Sequence, residues 1–291
     1  MNVHLVDGTY ELFRHYYAVP PAQSADGIEV GAVRGVLSSV LSMLGDGATH
    51  VAVATDHVIE SFRNELWRGY KTSEGIEPLL FAQFHPLEDA LQAMGVVVLP
   101  QVDFEADDGL AAGAAVAAAD PLVERVFICT PDKDLAQAVV GTRVVQLDRR
   151  ARQIRDEASI VRKFGVPPAS IPDYLALVGD SADGYPGLPG WGPKSASTVL
   201  SHYGHFEAIP ERPADWAVTV RGAATLGATL TEYRPQAFLF REIATLRTDA
   251  PVFDSVDAIH WAGPRPDFET VAARLGAPLL FKRAQGIALQ R

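Results

Sequence analysis

The chain has 291 residues, 48% of them hydrophobic and 21% charged, enough for one large core or a core with a smaller lobe. No apolar run is long enough to span a bilayer, and the opening MNVHLVDG lacks the basic and apolar regions of a secretory signal, so a cytoplasmic protein is expected. A single cysteine, Cys129, excludes an internal disulfide, and a formal net charge of −11 speaks against a uniformly basic nucleic-acid surface without fixing the sign of any one groove.

In chain order, short runs rich in β-branched residues predict strands at 3–6, 51–54, 96–99, 126–129 and 143–147. Helical patterns fall between them, at 33–44, 81–94, the alanine-rich 106–119 and 135–139. Strands separated by crossover helices imply an α/β fold with a mostly parallel sheet covered on both faces. Arginines 149, 150, 152 and 155 fall in an expected hairpin turn, and from about residue 157 the chain becomes helical and proline-punctuated. The expected division is therefore 1–156 and 157–291.

The acids follow the strand ends. Asp7 closes the first strand and Asp56 the second, while Glu105, Asp107 and Asp108 open the helix after the third. Asp132 and Asp134 follow the fourth, and Asp180 and Asp183 come later. Singly, each fits ordinary turn or helix-start chemistry. Jointly, carboxylates at successive strand ends of one sheet repel unless cations intervene. Ligands that are all oxygen select hard ions such as Mg²⁺ or Mn²⁺, and two such ions suit in-line attack on a phosphodiester.

Residues 179–194, GDSADGYPGLPGWGPK, form a Gly/Pro-rich turn. Gly187, Gly190 and Gly192 permit tight backbone paths that can bring N–H groups to an anion, and Lys194 opens a helix.

With these motifs in order, the chain resembles the 5′-nuclease domain of bacterial DNA polymerase I and its stand-alone relatives, the flap endonucleases. The resemblance runs from residue 3 to about 203. It includes Val-Asp-Gly at Asp7, Phe-Arg at Arg14, Ser-Phe-Arg at Arg63 and Gly-Tyr-Lys at Lys71. It continues through Glu-Ala-Asp-Asp at 105–108, Asp-Lys-Asp-Leu at 132–135, Gly-Asp-x-x-Asp at 179–183 and Pro-Gly-x-x-Gly-x-Gly-x-Lys at 186–194.

The resemblance implies a PIN-like sheet with a helical arch near 64–85 and a helix–three-turn–helix at about 180–203 that grips duplex backbone and binds K⁺. It implies a first metal on Asp7, Asp56, Glu105 and Asp107. The second would use Asp107, Asp132, Asp134, Asp180 and Asp183, with Asp108 nearby. Arg63 and Lys71 would steer the scissile phosphate, Arg14 would support its path, and Gly187, Gly190, Gly192 and Lys194 would contact DNA. Two Mg²⁺ or Mn²⁺ ions, flapped, branched or nicked DNA, a separate DNA polymerase and a monomeric state complete the expectation. Glu74 stands where many members carry a base, Gly184 replaces the usual Asn, and Pro131 replaces a small residue. Two alternatives stand beside this reading: a DNA-structure-binding protein with weak or lost catalysis, in which the altered arch no longer threads a flap, and an RNA-cutting nuclease on a similar sheet.

Overall fold

The computed structural model describes residues 1–291. Its elements run β1 (Asn2–Asp7), α1 (Gly8–Ala18), α2 (Gly31–Gly45), β2 (His50–Asp56), α3 (Phe62–Leu66), α4 (Pro78–Phe81), α5 (Phe84–Ala93) and β3 (Val97–Gln101). They continue with α6 (Ala106–Ala119), β4 (Arg125–Cys129), β5 (Val144–Asp148), β6 (Gln153–Arg155), α7 (Glu157–Phe164), α8 (Ile171–Val178) and α9 (Pro193–Tyr203). The last four helices are α10 (Ala223–Glu232), α11 (Arg234–Ala244), α12 (Phe268–Arg274) and α13 (Pro278–Ala288). The chain forms two compact units, both discontinuous. The first is Met1–Ile59, Ser73–Thr130 and Arg247–Arg291; the second is Glu60–Thr72 and Pro131–Leu246.

In the first unit β1–β4 form parallel pairs in the order β3-β2-β1-β4. Six of the seven residues of β2 are buried, as expected for a parallel strand covered on both faces. Helix α6 packs against all four strands. Its small residues permit that: Ala112 and Ala117 are fully buried, and a methyl added at Gly113 would meet Leu5 at 3.4 Å. The C-terminal helices close the same unit, α12 against α5 and α13 against α2. Trp261 is buried there, its indole N–H donating to Met94 O at 2.9 Å.

The second unit is helical around an apolar cluster that includes Ile171, Leu175, Leu177, Tyr185, Trp191, Leu200, Phe206 and Phe240. Large side chains so buried each contribute about 1.5–3 kcal/mol. Helix α8 is the centrepiece, packing against both α9 and α11. The hairpin expected around the arginines is present as the antiparallel pair β5–β6, with Arg152 in its turn at φ 52°. The helix expected at 135–139 is a 3₁₀ segment, Asp134–Ala138. The helix expected over 81–94 breaks at Ala82–Gln83, so α4 is a separate turn of four residues. Residues 64–85 hold the end of α3, a loop, α4 and the start of α5.

Candidate metal centre

The acids of the first unit are placed by strand register and helix starts. Asp7 and Asp56 sit at the carboxyl ends of the neighbouring parallel strands β1 and β2. Asp7 caps α1, accepting from Tyr10 N at 2.8 Å, and its other oxygen accepts from the Thr130 hydroxyl at 2.9 Å. Asp56 Oδ1 accepts from Ala106 N at 2.8 Å, which ties it to the start of α6. Glu105 and Asp108 form a reciprocal capping box there. Asp108 accepts from Glu105 N at 3.0 Å and from Arg247 N at 2.8 Å, and it is fully buried. Asp107 lies in the first turn of α6, half-buried. Arg14 pairs with Glu11 on α1.

In the second unit the carboxylates of Asp134, Asp180 and Asp183 have ligand oxygens within 4.8 Å of one another. A tight loop brings two of them together, because the backbones of Asp180 and Tyr185 exchange hydrogen bonds of 2.8 and 3.0 Å. Asp132, which is exposed, accepts from Asp134 N at 2.9 Å and so fixes the third. Buried like charges are costly, and Asp134 shows it. Burial first, then the charges of Asp132 and Asp183, push its carboxyl well above the usual carboxylate range. Its Oδ1 is buried without a hydrogen-bond donor. Such an orphaned oxygen in a cluster of hard donors fits a divalent cation.

Two cations already answer the charge. Lys71 Nζ lies 3.0 Å from Asp183 Oδ1, and its backbone N donates to Asp183 O at 3.1 Å. Lys133 pairs with Asp180 and stands 3.9 Å from Asp134. Burial pulls the Lys133 ammonium down, but Asp134 and Asp180 outweigh it and hold the pKa up. Lys133 and Tyr185 were not singled out from sequence. The Tyr185 hydroxyl is buried, lacks a partner and is pushed far up by burial and by Asp134, Asp183 and Asp180. Only the position of Lys133 between two acids hinted at its place; Tyr185 gave no signal.

Two family models match adjoining stretches of the sequence: "5′-3′ exonuclease, N-terminal resolvase-like domain" over residues 2–165 and "5′-3′ exonuclease, C-terminal SAM fold" over 166–267. The chain belongs to the 5′-3′ exonuclease family, a family of nucleases. A 5′-3′ exonuclease of Buchnera aphidicola is 31% identical over 261 residues, 87% of this chain and 83% of that protein. DNA polymerase I of Pseudomonas aeruginosa is 36% identical over 273 residues, 90% of this chain. The chain spans only 29% of that polymerase, and 26% and 28% of the Rhizobium leguminosarum and Mycobacterium leprae enzymes. Among solved structures, a T5 5′-exonuclease with bound divalent metal ions (zinc) superposes with TM-score 0.66 at 19% identity, covering 99% of this chain and 98% of that one. The catalytic core of Rad2 in complex with a DNA substrate gives 0.62 at 16% identity, covering 99% and 91%. These two share the fold.

Within the exonuclease family's C-terminal region, the Gly/Pro turn connects α8 to α9, and its glycines differ in use. Gly187, at φ 69°, lies so close to the Val178–Gly179 peptide that an added Cβ would meet Gly179 N at 2.4 Å. Packing this close against the end of α8 requires a glycine. Gly190 adopts φ 80°, and Gly192 caps α9 with its N–H already given to Ser195 Oγ at 3.0 Å. Lys194 is exposed in the first turn of α9. Arg63 corrects the expectation of a phosphate-steering side chain. It is 2% exposed, and its guanidinium donates to Ile243 O at 2.8 Å and Thr245 O at 3.2 Å. A guanidinium buried against carbonyls holds α3 to the end of α11, and in this conformation it does not meet solvent. No helix is long and apolar enough to cross a membrane.

Proposed function

We propose that the chain is a metal-dependent, structure-specific 5′→3′ exonuclease and flap endonuclease that hydrolyses DNA phosphodiesters in replication or repair. The observation that carries the reading is the trio Asp134, Asp180 and Asp183, the first two buried, with an unpartnered oxygen on Asp134 and Lys71 paired to Asp183. Asp132, Asp134, Asp180 and Asp183 would hold one Mg²⁺ or Mn²⁺, and Asp7, Asp56, Glu105 and Asp107 the other. When bound, such ions lower the pKa of water and stabilise charge on the leaving oxygen. Asp108 supports Glu105 through the capping box. Lys71, half-buried beside Asp183, would exchange that carboxylate for a phosphate oxygen and stabilise charge that develops there. Arg14 would contribute to the phosphate path, with its guanidinium shared with Glu11.

The turn with Gly190, Gly192 and Lys194 would contact duplex backbone and bind K⁺, with Gly187 setting its shape. Phosphate contacts of this kind recognise structure rather than sequence and weaken with salt. The substrates would be flapped, branched or nicked DNA, supplied by a separate polymerase, to a monomer in the cytoplasm. A 5′-labelled flap incubated with Mg²⁺, Mn²⁺ or chelator tests the reading. Cutting at the junction in either metal and none in chelator is expected. Binding without cutting in every metal, or preferential cutting of RNA, overturns it.

A further inference from the structure

Outside the carboxylate centre, the first unit gathers a second kind of donor set. His57 follows β2, and His85 and Glu88 lie three residues apart on α5, where helical spacing places them on one face. One ligand atom from each lies within 4.8 Å of the others. His57 Nδ1 is 2.7 Å and His85 Nδ1 3.8 Å from Glu88 Oε2, and the two imidazole rings meet edge to face at 4.4 Å between centroids.

The geometry points to a third metal site, for Zn²⁺, formed by His57 Nδ1, His85 Nδ1 and Glu88 Oε2. Bonds of about 2.0–2.2 Å at tetrahedral angles place ligand atoms roughly 3.3–3.5 Å apart. The two distances to Glu88 bracket that spacing, so a modest turn of the imidazoles replaces a direct hydrogen bond by two bonds to one ion. Imidazole nitrogen beside a carboxylate suits Zn²⁺ and not Mg²⁺, which separates this site from the all-oxygen set.

The surroundings complete it. Glu88 is buried, with a side-chain exposure of 7%, and its second oxygen accepts from the Thr55 hydroxyl at 2.7 Å, which fixes the carboxylate as an outer partner does. The histidine side chains are 38% and 59% exposed, which leaves room for water at the fourth position. A bound ion would pin the end of β2, one residue past Asp56, to α5.

Co²⁺ titration of the full chain, in millimolar Mg²⁺ to saturate oxygen-only sites, reads the proposal through visible absorption of tetrahedral Co²⁺. One absorbing equivalent, displaced by Zn²⁺, is expected. It should vanish in His57→Ala and in His85→Ala, persist in Asp180→Asn, and weaken about tenfold in Thr55→Val. Wild-type imidazole ¹⁵N resonances should shift with Zn²⁺ for two histidines, a measurement independent of any variant. Absence of the absorbing species, its survival in both histidine variants, or its loss in Asp180→Asn overturns the site.

Discussion

The acids of the two units are held in opposite ways. In the first, Asp7, Asp56 and Asp108 take donors from the fold itself: Tyr10 N, the Thr130 hydroxyl, Ala106 N, Glu105 N and Arg247 N. In the second, Asp134, Asp180 and Asp183 face one another, and the charge is met by the ammoniums of Lys71 and Lys133. Carboxylates used as caps stabilise the chain whether or not a cation binds, because each satisfies backbone N–H groups at a helix start. Carboxylates crowded together gain most from a cation. The contrast separates acids that the fold already satisfies without an ion from acids whose charge is left to ligand chemistry.

The largest effect should come from the second set. Asp180→Asn is expected to lower flap cutting by more than about a hundredfold, since even outer partners of metal ligands act over ten- to a hundredfold. Single-turnover assays with the flap bound to saturation measure it; unchanged cutting would remove Asp180 from the centre. Lys71→Ala should follow, with a rate loss of about a hundredfold and little change in affinity, the range for losing one donor to developing charge. If affinity falls and the rate does not, Lys71 is a binding contact.

The first set should show itself in stability. Asp108→Ala leaves Glu105 N and Arg247 N without this acceptor, and the buried one, Glu105 N, costs about 1–3 kcal/mol when orphaned. Urea unfolding without metal should show a loss of that size. A neutral result would mean that the capping box contributes nothing.

Much of this was legible in the sequence, for identifiable reasons. Parallel strands buried on both faces announce themselves as short valine-rich runs, and α6 matches the alanine-rich stretch 106–119 residue for residue. Acids at strand ends could be placed on one edge by parity of strand direction alone. Arg63 was not legible, since its partners Ile243 and Thr245 lie some 180 residues away and its motif context is the same for a buried and an exposed guanidinium. The units were hidden for the same reason: residues 60–72 join the second and 247–291 return to the first through long-range packing, which leaves no local period. The packing of Gly187 against the end of α8 was not legible either, because a glycine in a turn reads the same whatever lies beside it.

The smallest predicted effect bears most directly on the contrast. Asp134 is buried, and its carboxyl is pushed up by burial and by its acidic neighbours. Without metal it therefore holds its proton more tightly folded than unfolded. The resulting penalty is present at neutral pH and is relieved as pH falls through the raised folded value. Asp134→Asn removes the charge at nearly constant volume, so it should raise the metal-free Tm at neutral pH by about 2–4 °C, equivalent to about 1 kcal/mol. The gain should shrink toward acid pH, and Mg²⁺ should raise the variant's Tm less than the wild type's. Differential scanning calorimetry at two pH values with and without Mg²⁺ measures all three. A lowered Tm at neutral pH would place Asp134 with the scaffold acids, and the line between the two sets would have to be redrawn around Asp180 and Asp183.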